Sequence, residues 1–184
     1  MRVLTFDSPE TWAAYQRDFL AEAANAAERF RRSAGASIAL DKSPESLDAV
    51  GTWLVDKLQH PEPGWDALDW LPVWLHPGLP LAGSGTDSDG PFTRAQLESM
   101  DQVHGYIVEV LLTQRPTAKW VIFTGAKRDI RRGSTMLDIG RRQWPINTIG
   151  LIYKVSLNVV LDGDLPPAGW LRNAVEAEFA KATG

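Results

Sequence analysis

Residues 93–116 place the tightest constraint on what this chain can become. Thr93 and Gln96 stand at capping-box spacing, so the threonine side chain can accept the backbone N–H of residue 96 while the glutamine reaches back to residue 93. Phe92 and Leu97 occupy the two positions of a hydrophobic staple. Leu97, Met100, Val103, Ile107, Val110 and Leu111 then recur at helical spacing, and Pro116 bounds the far end. Capping and hydrophobic period agree on one long helix, so the remaining elements must cover its apolar stripe.

Two helices are expected before it. Ser8-Pro9-Glu10 supplies a cap, a proline at the first helical position and an early acid. Trp12, Tyr15, Phe19, Ala23, Ala26, Ala27 and Phe30 follow on one face, and Gly35 can end the run. Ser43-Pro44-Glu45 repeats the opening, with Leu47, Val50, Leu54 and Leu58 as its stripe. The two similar starts share capping chemistry and do not make an internal repeat.

Between residues 59 and 92 the chain changes character. This stretch holds 6 of the 12 prolines and three tryptophans, Trp65, Trp70 and Trp74, with leucines between them. It is too apolar for a solvated linker, and a long connection inside a compact domain usually has structure or function of its own. It is expected to cross the fold as an ordered segment, with a glycine-rich tip at residues 83–90.

After the central helix, Trp120–Phe123 and Thr135–Ile139 read as strands, and Gln143–Ile146 as a third. Pro145 puts that third strand at an edge, because proline has no N–H to donate. Residues 149–161 fit both a helical and an alternating pattern; their length and Thr148 as a cap favour a helix. Pro167 then opens a last helix through Trp170, Leu171, Ala174, Val175 and Phe179. The expected fold class is α+β: a small antiparallel sheet of three or four strands, covered by helices, with a Trp/Pro-rich crossing segment. The expected domain is single and spans residues 1–184. It comprises a helical part (1–58), the crossing segment (59–92) and the helix, sheet and C-terminal helices (93–184).

The chain contains no cysteine, which removes disulfides, thiolate metal sites and cysteine nucleophiles. Asp7 arrives before an apolar signal core can form, and no stretch reaches the ~18–20 apolar residues of a membrane span, so a cytoplasmic protein is expected. Net charge is −4. Residues 1–92 carry 7 basic and 14 acidic side chains, net −7, whereas residues 93–184 carry 12 and 9, net +3. The plainer meaning is that the two parts pack together; a face for a charged partner is the sharper one.

Asp101, Gly105, Tyr106 and Glu109-Val110-Leu111, followed by Trp120 on a strand and a hairpin, resemble a family of uncharacterised bacterial small α/β domains. That pattern covers roughly residues 97–154. Domains of this look are similar to some bacterial toxin-immunity proteins. The resemblance implies a partner-binding role and brings no catalytic residue with it.

Candidate chemistry is sparse. Asp101, Gly105 and Glu109 fall on one helix face, and the glycine removes the side chain between the two acids. Spaced about 12 Å along the axis, those carboxylates are too far apart for a glycosidase pair. The glycine is expected to admit a second backbone, with the acids solvated, paired to arginine or lining a groove. The three histidines, His60, His76 and His104, have no metal-site spacing; His104 reads as a satisfied histidine at the edge of the core. Asp87-Ser88-Asp89-Gly90 approaches a calcium loop, but Phe92 stands where its central glycine is required. The basic pairs Lys127-Arg128, Arg131-Arg132 and Arg141-Arg142 lie on separate turns without a nucleic-acid-binding signature, so no nucleic-acid partner is expected. No phosphate loop or nucleophile elbow is present.

Trp65, Trp70 and Trp74 either pack as core or lid or, with Asp69 or His76 at the rim, form the candidate binding surface, together with Asp101 and Glu109. The expectation is a non-enzymatic protein-interaction or immunity-like module that binds a protein partner, without cofactor, metal or membrane. The alternative is a small-molecule-binding protein, or an enzyme of another class, with its pocket under the tryptophan segment. A deep pocket with converging polar groups would favour the alternative, and a shallow acidic-aromatic surface would favour partner binding.

Overall fold

The computed structural model describes residues 9–62, 72–74, 91–126, 129, 131–140 and 145–183. Chain order is α1 (Pro9–Ala34), α2 (Ser46–Gln59), α3 (Arg94–Gln114), β1 (Lys119–Ile122), β2 (Thr135–Asp138), α4 (Gly150–Leu161) and α5 (Trp170–Thr183). A single 3₁₀ turn, Gly35–Ser37, follows α1. Gly35 sits at φ +59, the left-handed conformation that ends a helix without a Cβ clash.

The central helix forms as its local signals dictate. Thr93 Oγ1 accepts the Gln96 N–H at 3.3 Å, and the Thr93 N–H donates to Gln96 Oε1 at 2.8 Å. The Gln96 amide also donates to the Leu58 carbonyl at 2.7 Å, so the cap of α3 satisfies an orphan carbonyl near the end of α2. Unlike a surface helix, α3 is buried on nearly every side, from Ala95 through Val108 without a break. Helices α1, α2 and α4 surround it.

Ser43 caps α2, its Oγ accepting the Ser46 N–H at 3.2 Å. Just before this cap, Lys42 takes φ +63, an uncommon conformation for a residue with a Cβ. The fully buried Tyr106 hydroxyl of α3 holds it there, accepting the Lys42 N–H at 2.9 Å and sharing a 2.8 Å bond with Ser46 Oγ. Phe30 of α1 rests against both Tyr106 and Trp53, closing an aromatic cluster between α1, α2 and α3.

Residues 149–161 resolve as helix α4, with Ile152, Ser156 and Val159 as its buried stripe. Helix α5 follows a turn in which the Trp170 N–H donates to the Pro167 carbonyl.

The expectation of a three- or four-stranded sheet covered by helices is corrected. Among the described residues the protein is mostly helical, with one two-stranded antiparallel sheet in which Trp120 pairs with Leu137 and Val121 with Met136. The expected third strand contributes one bridge. Leu137 and Ile146 exchange hydrogen bonds of 2.9 and 2.8 Å. Pro145 has no N–H with which to extend that ladder. Beyond Ile146 the chain turns at Asn147, whose carbonyl accepts the Gly150 N–H, and enters α4. Residues 141–144 lie outside the described residues. The core is therefore built around a helix enclosed by helices, with the hairpin at its edge.

Candidate functional site

The site grows out of the place where α1 meets α3. A Cβ on Gly105 would stand 2.5 Å from both the Ala23 carbonyl oxygen and the Ala27 nitrogen, and 3.0 Å from the Ala26 side chain. Backbone therefore touches backbone here, as the expected role of Gly105 requires. Ala23, Ala26 and Ala27 are the small residues of α1 that permit it. Long side chains have no room at the contact and instead join the helices on either flank.

On one flank a single guanidinium reaches three carboxylates. Arg29 donates from Nε to Glu98 at 2.7 Å, and from Nη2 to Glu22 at 2.7 Å and Asp101 at 2.6 Å. Asp101 is 1% exposed and Glu98 4%. The other oxygen of Asp101 accepts the Trp74 indole N–H at 2.7 Å. Burial pushes the Asp101 carboxyl up to about 8; the charge of Glu22 adds to this, and Arg29 opposes it. One guanidinium and one indole do not offset that burial and the neighbouring acids.

The other flank is balanced. Arg31 pairs with Glu28 and Glu109, and Lys42 approaches Glu109 at 3.8 Å. Two cations face two carboxylates, at partly exposed positions.

Beside the first flank lies a small half-open cleft of about 50 Å³. Ser33 of α1, Trp53 and Lys57 of α2, Glu62, and Ala95, Glu98, Ser99 and Gln102 of α3 line it. Lys57 pairs with Glu62, and its ammonium stands 5.8 Å from the centre of the Trp53 ring. Gln102 donates its amide to Glu98 Oε1 at 2.9 Å, which fixes the orientation of its side chain. Its Oε1 has no hydrogen-bond partner.

One turn along α3, His104 shows different chemistry. It is fully buried, edge-on to Phe19, with Nε2 bonded to Thr148 Oγ1 at 2.9 Å. Burial pushes its imidazole down to about 4. It lies within the core rather than at its edge, joins α3 to the start of α4 and, among the described residues, faces no other ionisable group in ion-pair range.

The sequence-derived candidates separate accordingly. Trp74 is 7% exposed, anchored to Asp101, and does not line the cleft. Asp101 and Glu109 are both paired to arginines of α1, on opposite flanks of Gly105. Trp65, Asp69, Trp70 and His76, the glycine-rich tip and the calcium-like loop lie outside the described residues. So do Lys127, Arg128, Arg141 and Arg142. Arg131 pairs with Asp129 and covers the Phe123 ring, and Arg132 lies over Trp12.

Sequence reasoning missed Arg29, Trp53, Lys57, Glu98 and Gln102. A usable signal existed for two of them. Glu98, Asp101 and Gln102 stand at i, i+3 and i+4, a polar stripe beside the apolar stripe of Leu97, Met100, Val103 and Ile107.

Among the described residues, no three acidic or histidine side chains are grouped to hold a metal ion, and no helix is long and apolar enough to cross a membrane. No family model, curated protein or solved structure matches the chain.

Proposed function

We propose that this protein is a non-enzymatic interaction module that binds a protein partner through the face formed by α2 and the first half of α3. The carrying observation is the cleft itself. It is small and half-open, and its lining combines an aromatic ring with two glutamates, a lysine and a glutamine. Sites for metabolites usually enclose several hundred Å³, whereas this volume suits the tip of one side chain. Protein interfaces use such shallow features as seats for single anchoring residues, with a tryptophan wall among the commonest hot spots.

The rigidity of the face supports the same reading. Trp53 is braced edge-on against Phe30, with ring centres 4.9 Å apart. Glu98 and Gln102 are held in one geometry by Arg29 and by each other. A pre-organised surface loses less side-chain entropy on binding. An immunity-like role is the version of this reading in which the partner is a toxin.

The test is site-specific photo-crosslinking in cells of the native source. A photoreactive residue replacing Ser33 or Glu62, at the cleft, is expected to trap one defined protein. The same residue replacing the exposed Lys154 of α4 is expected to trap none. With that partner purified, Trp53→Ala should weaken binding by about tenfold while the helical circular-dichroism signal is retained. Adducts that do not distinguish the two faces, or unchanged affinity in Trp53→Ala, would remove the reading.

A further inference from the structure

The cleft is short of hydrogen-bond donors. Among the described residues Glu98 receives two bonds, from Arg29 Nε and from the Gln102 amide, both on Oε1, and a carboxylate can accept about four. Gln102 is 6% exposed, and its Oε1 has no partner although the residue lines the cleft. A buried carbonyl oxygen without a donor destabilises the fold, so a group that supplies the donor gains affinity from it.

Charge points the same way. Arg29 is shared by Glu22, Glu98 and Asp101; even with Asp101 largely protonated at neutral pH, Glu22 and Glu98 outnumber the one cation among the described residues. Lys57 does not redress it from across the cleft, because it is paired with Glu62. The Trp53 ring supplies an apolar wall with a negative π-face, already used from one direction by the Lys57 ammonium.

We propose that the cleft receives the guanidinium of an arginine side chain from the protein partner, with Glu98 and Gln102 accepting its N–H groups and Trp53 stacking beside it. The proposal rests on the partner-binding reading above and names the chemical group that the partner presents. A guanidinium fits better than an ammonium. It is planar, offers five donors in a fixed fork, is more weakly hydrated and stacks on aromatic faces. The cleft volume of about 50 Å³ is on the scale of such a tip.

The experiment uses the full chain, labelled with nitrogen-15, and N-acetyl-arginine amide as the probe. The reporters are the Gln102 side-chain amide and the Trp53 indole N–H. Both signals are expected to move together and saturate, with millimolar affinity. N-acetyl-norleucine amide, uncharged and without a side-chain donor, should not move them. Glu98→Gln should abolish saturation, but it also breaks an ion pair that braces the fold. Gln102→Met is therefore the second variant; it leaves Arg29 paired and should weaken the probe about fivefold. Equal shifts with the norleucine probe, or a Gln102 amide that stays still up to the solubility limit of the arginine probe, would overturn the proposal. The partner-binding reading would then stand or fall separately, on the crosslinks at Ser33 and Glu62.

Discussion

The α1–α3 contact has two ionic flanks around one dry centre, and they are not alike. On the first, one arginine serves three carboxylates, two of them almost wholly removed from solvent. On the second, Arg31 and Lys42 balance Glu28 and Glu109 at partly exposed positions. Both hold the same pair of helices, so bracing alone does not explain the difference. Exposed ion pairs contribute little to stability, and a balanced, solvated flank needs no other role. An unbalanced buried cluster is costly unless something pairs with the excess charge. The small cleft beside that cluster is where the account places the missing cation.

Substituting the centre should have the largest effect. Gly105→Ala puts a Cβ against two backbone atoms that cannot rotate away, so α1 and α3 must separate. A loss of about 3 kcal/mol or more is expected in urea unfolding, with both flanks weakened together. A loss below 1 kcal/mol would show that the helices are not locked at this point.

Treating the flanks separately should come next. Arg29→Met leaves Glu98 buried without its cation, Asp101 being largely protonated at neutral pH, and should cost about 3 kcal/mol. Arg31→Met, on the exposed side, should cost less than about 1 kcal/mol. Equal costs would dissolve the distinction between the flanks.

A pH-dependent effect, absent at neutral pH, separates His104 from the charged cluster. Its folded pKa is depressed to about 4, so the folded state resists taking up a proton that the unfolded chain accepts below about 6.5. The stability contributed by keeping this ring neutral is present above pH 6.5 and is lost as pH falls toward 4, by about 3 kcal/mol in all. His104→Gln, which keeps a polar group for Thr148, should flatten the acid side of the stability profile. An unchanged acid limb would mean that other groups dominate it.

How much of this was legible depended on whether the determining contact was local. The start of α3 was readable because Thr93 and Gln96 complete their bonds within one turn. The close approach at Gly105 was readable because a glycine inside a strongly specified helix calls for a packing reason. Helix α4 was separable from a strand by length, whereas the cap expected at Thr148 is not made, because its Oγ1 bonds His104 instead. The third strand failed because one bridge at Ile146, beside a proline, leaves nearly the same local pattern as a short edge strand. The partners of Arg29 lie 69 and 72 residues away in Glu98 and Asp101, and periodicity carries no information at that separation. For a similar reason the choice between core and binding surface at Trp74 stayed open. Nothing near it in sequence announces that Asp101 accepts its indole N–H.

The central claim is that the first flank holds excess negative charge in a desolvated setting, and the most direct measurement is the titration of Asp101 itself. Carbon-13 labelling of the carboxyl carbon allows its midpoint to be followed by NMR. The groups facing it are Glu22 and Arg29 on α1, Glu98 on α3, and the Trp74 indole. The account predicts a midpoint raised to about 8 by burial and by the neighbouring acids, and raised further in Arg29→Met. Because the folded state keeps a proton that the unfolded chain loses above about 4, the associated stability is present at low pH. It declines as pH rises toward 8, and Asp101→Asn should abolish that decline. A midpoint at or below the ordinary value near 4 would contradict the account, because the flank would then be as well compensated as its counterpart at Arg31.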